Sequence, residues 1–177
     1  MRSPIVTILS VGPVEDRKTI KEILAGAHPS VRWQIKSALT AQAAFHEILS
    51  GGIALVVWNH DHDAENWRAV PTHAAELRPA PLLIVTSRQA DDRLWVEALN
   101  LGAYDVLAKP FERNEVIRAL TLAAGQWTAR EATLPAKSGK VRAAAAGALP
   151  AGSDDRSLPP HPASYQAFPL HAAKANS

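Results

Sequence analysis

Four consecutive residues, His60, Asp61, His62 and Asp63, alternate imidazole and carboxylate within VVWNHDHDAENW, residues 56–67. Both side-chain types ligate Zn²⁺, and a carboxylate can also accept a phosphoryl group. The run therefore admits a small metal-dependent hydrolase, a phosphate-accepting site with Asp61 as acceptor, or a solvated loop. Alternating residues in a loop do not all converge on one ion. The residues that follow, Ala64 and Glu65, are not the Asp and His that an HxH metallohydrolase motif needs. The expectation is a loop without metal, capped by Asp63 or Asn66, since Asp and Asn commonly start a helix.

What these side chains can reach depends on the elements that carry them. Apolar, β-branched runs lie at residues 5–9, 31–35, 53–58, 82–86 and 104–107. Helix-period stretches separate and follow them at 15–25, 41–49, 67–77, 91–101 and 113–124. In EDRKTIKEILA, Ile20, Ile23 and Leu24 recur at helical spacing and the charges face away. The runs near 53 and 82 are almost wholly apolar, which suits central parallel strands covered on both faces. Strands alternating with helices predict a (βα)5 doubly wound, five-stranded parallel sheet of flavodoxin-like α/β class. Such sheets carry their functional groups at the carboxyl ends of the strands. Those ends are 10–13, 59–63, 86–88 and 108–110, so the HDHD run sits at the functional edge.

Composition narrows the function classes. The chain has no cysteine, which excludes disulfides, thiolate metal sites and cysteine nucleophiles. The pI of about 9.1 suggests nucleic acid, but its distribution argues otherwise. Residues 1–128 carry 13 Lys+Arg and 14 Asp+Glu, whereas residues 129–177 carry 6 and 3. No Lys/Arg cluster suited to DNA phosphates stands out before residue 129, and no DNA-binding segment follows. Residues 129–177 hold 6 of the 13 prolines and the run RAAAAGALPAG. This predicts a disordered Pro/Ala-rich tail after a single domain at 1–128. With no signal peptide and no apolar stretch of membrane-spanning length, the expected location is cytoplasmic.

The segment LLIVTSR, followed by LNLGAYDVLAKPFERNEV, resembles the receiver domain of bacterial response regulators, the CheY-like superfamily of two-component phosphorelay signalling. The likeness covers roughly residues 4–127, and it implies the same five-stranded fold. It also implies site positions. Thr86 matches the Thr/Ser that hydrogen-bonds the phosphoryl group, and Lys109 with Pro110 matches the Lys-Pro pair. The phosphoacceptor Asp matches Asn59. The acidic pair that holds Mg²⁺ matches Val11 and Gly12, or Gly12 and Pro13 in the other register. The aromatic switch position is Val106, with Tyr104 on the same strand parity as a partial substitute.

An amide is a poor nucleophile, and Mg²⁺ prefers carboxylate-rich oxygen sites. Mg²⁺ binding is therefore expected to be lost, with an Asn59 carbonyl accepting a hydrogen bond from Lys109 instead. Glu15 and Asp16 fall in the first turn of the following helix, where they serve its positive end. On α-helical spacing, Leu94, Ala98 and Leu101 face the sheet, while Trp95 and Leu99 form a neighbouring row. Trp95, Leu99 and Tyr104 are the expected partner surface, since interfaces favour Trp. The reading is a stand-alone, non-enzymatic receiver-like protein degenerate at its phosphorylation site. It would bind a histidine kinase, a downstream regulator or a second copy of itself, without needing phosphate.

Overall fold

The computed structural model describes residues 4–27 and 31–134. Five strands, β1 (Ile5–Val11), β2 (Arg32–Ala38), β3 (Leu55–Asn59), β4 (Leu82–Ser87) and β5 (Asp105–Ala108), form one sheet. All are parallel, in the order β2-β1-β3-β4-β5. They alternate with α1 (Val14–Ala25), α2 (Ala41–Leu49), α3 (Val70–Ala74), α4 (Asp92–Asn100) and α5 (Arg113–Thr133). A 3-10 turn, Asn66–Ala69, leads into α3. The predicted α/β class and connectivity are those observed. α5 is longer than its periodicity suggested, running past residue 128 to Thr133. Residues 135–177, where the tail is expected, lie outside the described residues.

Strand alternation divides the core into two layers. Val6, Ile8, Leu55, Val57, Leu82, Ile84 and Leu107 pack towards α1 and α5. Leu9, Val11, Val56, Trp58, Leu83, Val85 and Val106 pack towards α2, α3 and α4. β3 and β4 are buried at every position, as their unbroken apolar runs require of strands covered on both faces. Helix starts are fixed by side-chain caps: Thr40 Oγ1 accepts from Ala43 N–H, Asp91 from Leu94 N–H and Glu112 from Glu115 N–H. Between β1 and β3 the connections turn to opposite sides of the sheet, and the crevice this leaves at the carboxyl ends is the usual ligand position of such folds.

Two expectations need correction. Leu101 is the C-cap of α4 and is exposed, so the sheet-facing stripe is Leu94 and Ala98. Tyr104 precedes β5 and packs with the α1/α5 layer, whereas Val106 lies in the opposite layer. The parity argument linking them fails because regular alternation begins only at Asp105.

Candidate functional site

The carboxyl ends of β1, β3, β4 and β5 bring Asp16, Asn59, Asp61, Ser87, Arg88 and Lys109 together. A pocket of about 490 Å³ is lined there by Pro13, Glu15, Asp16, Asn59, Arg88, Lys109 and Pro110. Asn59 ends β3 and is 4% exposed. Its Nδ2 donates to Asp16 Oδ2 at 2.6 Å, and its Oδ1 accepts from His62 N–H at 3.1 Å. The backbone donor fixes which way the amide points. The expected Asn59–Lys109 bond is thus replaced: both amide atoms are engaged elsewhere.

Lys109, just beyond β5, turns its ammonium to two carboxylates. Nζ lies 3.0 Å from Asp16 Oδ2 and 3.3 Å from Asp61 Oδ2. The three side chains are only 11%, 19% and 16% exposed, for Lys109, Asp16 and Asp61. Asp16 is more than a helix-terminus charge, because it reaches into the crevice. The sequence held a signal for this. Asp16 precedes Ile20, Ile23 and Leu24 by four, seven and eight residues, which places it on the buried stripe of α1.

Asp61 is the most heavily bonded member. Its Oδ1 accepts from Ser87 Oγ at 2.8 Å and from Arg88 N–H at 3.1 Å. Its Oδ2 accepts from Arg88 N–H at 3.0 Å and from Arg88 Nε at 3.4 Å. Burial opposes its ionisation, but the bonds from Ser87, Arg88 and Lys109 outweigh burial and hold the carboxyl below its ordinary value. Ser87, fully buried, is a site residue that the motif comparison missed in favour of Thr86. Thr86 Oγ1 instead donates to Trp58 O at 3.3 Å, tying β4 to β3.

The HDHD run fans out. The His60 ring tilts against Trp67 with centroids 6.5 Å apart, and His62 Nε2 contacts Leu39 O at 3.0 Å. Asp63 turns back on its own loop, accepting from Glu65 N–H, Asn66 N–H and Asn66 Nδ2. These bonds outweigh the burial of its carboxyl and lower its pKa. Its carbonyl also accepts from Trp58 Nε1 at 3.1 Å. Asp63 is the turn-forming residue that the sequence suggested. Four neighbours with four separate partners make no common ligand set, and among the described residues no three His, Asp or Glu side chains cluster as a metal site.

The acidic-pair positions are Val11, a buried core residue, and Gly12, whose φ is +131°. An added Cβ at Gly12 would lie 2.7 Å from Asn59 Cβ. Few side chains tolerate that backbone conformation, so glycine permits the close approach of β1 to β3 at this point.

Solved structures with the same architecture include response-regulator receiver domains. The signal receiver domain of an HD domain-containing protein from Pseudomonas fluorescens Pf-5 matches with TM-score 0.60 and 19% identity, over 73% of this chain and 93% of that one. The chain has the response-regulator receiver fold. A response regulator from Thermotoga maritima is similar at TM-score 0.59 and 20% identity, over 68% of this chain and 98% of that one. NtrX from Brucella abortus, solved with ADP, matches at TM-score 0.59 and 21% identity over 72% of this chain, which spans 28% of NtrX. No family model matches the sequence, and no curated protein does. Thr86 lies at the carboxyl end of β4, and Lys109 and Pro110 follow the end of β5. Trp95 and Leu99 on α4 are 37% and 47% exposed, and Val96 extends their surface. Among the described residues no helix is long and apolar enough to cross a membrane.

Proposed function

We propose that this protein is a signalling module of two-component type that acts by binding another protein, with no phosphorylation step and no enzymatic activity of its own. One observation carries this: the Lys109 ammonium is already neutralised by Asp16 and Asp61, beside an amide, Asn59, at the acceptor position. Phosphoryl transfer to a receiver needs a carboxylate nucleophile and a cation that offsets charge on the moving group. Here the amide supplies no nucleophile, and a resident ammonium holds the nearby carboxylates.

The donors at the strand ends do not fit Mg²⁺, which requires near-octahedral oxygen coordination. Val11 offers no side-chain oxygen, and Gly12 has neither a side chain nor room for one beside Asn59. Asp16 and Asp61 are committed to Lys109, and Asp61 carries Ser87 and Arg88 as well. Loss of Mg²⁺ binding is part of this proposal.

The contact surface proposed is the exposed row on α4, Trp95 with Leu99 and Val96. A large aromatic ring at the surface is the kind of anchor that protein interfaces favour. The partner is a histidine kinase, a downstream regulator or a second copy. Capture of partners from a lysate by the intact chain tests this, with and without acetyl phosphate and Mg²⁺. The expected result is the same captured set under both conditions and its loss with Trp95→Ala. Capture that requires the phosphodonor would refute phosphate independence.

A second reading has one observation in its favour. Asp61 lies against Lys109 and Ser87, so a carboxylate does reach the pocket. As an acceptor it would need a free oxygen lone pair facing the donor. Its oxygens instead accept hydrogen bonds from Ser87, Arg88 and Lys109, which weaken them as nucleophiles. Labelling that disappears in Asp61→Asn would establish this alternative.

A further inference from the structure

Away from the strand ends, a groove of about 560 Å³ runs between α1 and the edge strand β2. Its lining from α1 is Val14, Arg17, Lys18, Lys21, Leu24 and Ala25, and from β2 Trp33 and Ile35. The α1 residues fall at i, i+3, i+4, i+7, i+10 and i+11, a single helical stripe. It is apolar at both ends and basic in the middle. Mixed charge signs along the sequence conceal this cluster, which the helix creates by gathering Arg17, Lys18 and Lys21 above the Trp33 side of the sheet.

Among the described residues these cations lack carboxylate partners. None takes part in the ion pairs formed among the described residues. Arg17 makes one long contact, Nη1 to Ser37 Oγ at 3.4 Å. The groove also borders unused backbone. Among the described residues β2 pairs only with β1, which leaves its outer edge without a strand partner there along Arg32–Ala38. An open edge invites strand addition.

We propose that this groove binds an acidic segment of another protein in extended form, laid along the free edge of β2. Main-chain hydrogen bonds to β2 would hold it. Its side chains on the α1 side would place one apolar residue against Trp33 and Ile35 and carboxylates beneath Arg17 and Lys21. The spacings agree: four helical residues advance about 6 Å, and alternate residues of a strand about 6.6 Å. The chain's own residues 135–177 are a poor occupant, with five Lys+Arg against two Asp. A second copy pairing β2 to β2 would oppose Arg32 and Lys36 to their equivalents. The proposal is independent of the strand-end pocket and goes beyond the function above.

The test uses the intact chain and a fluorescein-labelled peptide, Ser-Asp-Thr-Leu-Thr-Asp-Thr-Glu-Ser, whose alternate residues put Asp, Leu, Asp and Glu on one face. Anisotropy should show saturable binding. Amide and indole NMR shifts should move at β2 and Trp33. The K18E/K21E variant, altered only at exposed positions, should bind about tenfold more weakly or worse, as attractive pairs become repulsive. Its unchanged circular dichroism would verify the fold. The peptide with Asn and Gln in place of its acids should not bind. Absence of saturable binding, shifts confined to other elements, or binding insensitive to K18E/K21E would each overturn the proposal. Equal binding of a single-stranded oligonucleotide of the same charge would also overturn it, by showing non-specific attraction of anions.

Discussion

The carboxylate of Asp16, in the first turn of α1, lies 3.0 Å from the ammonium of Lys109 at the end of β5, across 93 residues of sequence. The same Asp16 oxygen accepts from Asn59 at 2.6 Å, so one carboxylate joins three strand ends. Asp61 completes the arrangement from the other side. Lys109 is thus the counter-ion that Asp16 and Asp61 share.

Removing the hub should cost stability. Asp16→Ala leaves a mostly covered ammonium with one partner fewer and an Asn59 donor with none. Loss of about 1–3 kcal/mol is expected, measured by urea unfolding at neutral pH. A change within error would mean the pair is solvated and contributes little, as exposed pairs do.

Asn59→Asp should also destabilise, by about 1–3 kcal/mol at pH 7. It replaces a donor to Asp16 with a second carboxylate. Like charges raise one pKa of the pair, so protonation relieves the repulsion. The deficit relative to wild type should therefore shrink as pH falls from 7 towards 5. A deficit that stays constant would show that Lys109 absorbs the added charge.

Asp61 makes a pH prediction of definite sign. Burial works against its ionised form, but the Ser87, Arg88 and Lys109 bonds prevail and set its folded pKa below the unfolded value. The native state then holds fewer protons than the unfolded state below about pH 5. The contribution is complete above the unfolded value, near pH 4, and disappears as pH drops through the folded one. Asp61→Asn should thus lose less stability between pH 5 and pH 3 than wild type. Parallel losses in the two proteins would contradict the assignment.

Gly12→Ala should destabilise by at least about 1 kcal/mol, because φ of +131° suits glycine alone and the new Cβ would meet Asn59. Gly12→Asp, the change that would restore an acid there, should do at least as much harm. Wild-type stability in either would mean that β1 and β3 separate easily.

Much of this was legible in the sequence. The apolar runs of β3 and β4 and the stripes of α1 and α5 specify layer and period, so the sheet followed. Asn59, Thr86 and Lys109 fall at or beside strand ends, which local pattern sets. The bonds between them were not legible, because they depend on which side chains cross the crevice. Asp16 looked like a dipole-capping residue until its place on the Ile20–Ile23 stripe turned it inward. Tyr104 was misplaced by one irregular residue before β5, which breaks a parity argument completely. The basic groove was hidden because Arg17, Lys18 and Lys21 are balanced in sequence by Glu15, Asp16 and Glu22; the helix turns Arg17 and Lys21 away from these acids, whereas Lys18 stays at i+3 and i+4 spacing from Glu15 and Glu22.

The most direct test of the proposed phosphate independence is incubation of the intact chain with radiolabelled acetyl phosphate, with and without Mg²⁺, in wild type and Asn59→Asp. No stable label in any of the four conditions is the expected result. Stoichiometric, Mg²⁺-dependent label on either protein would contradict it.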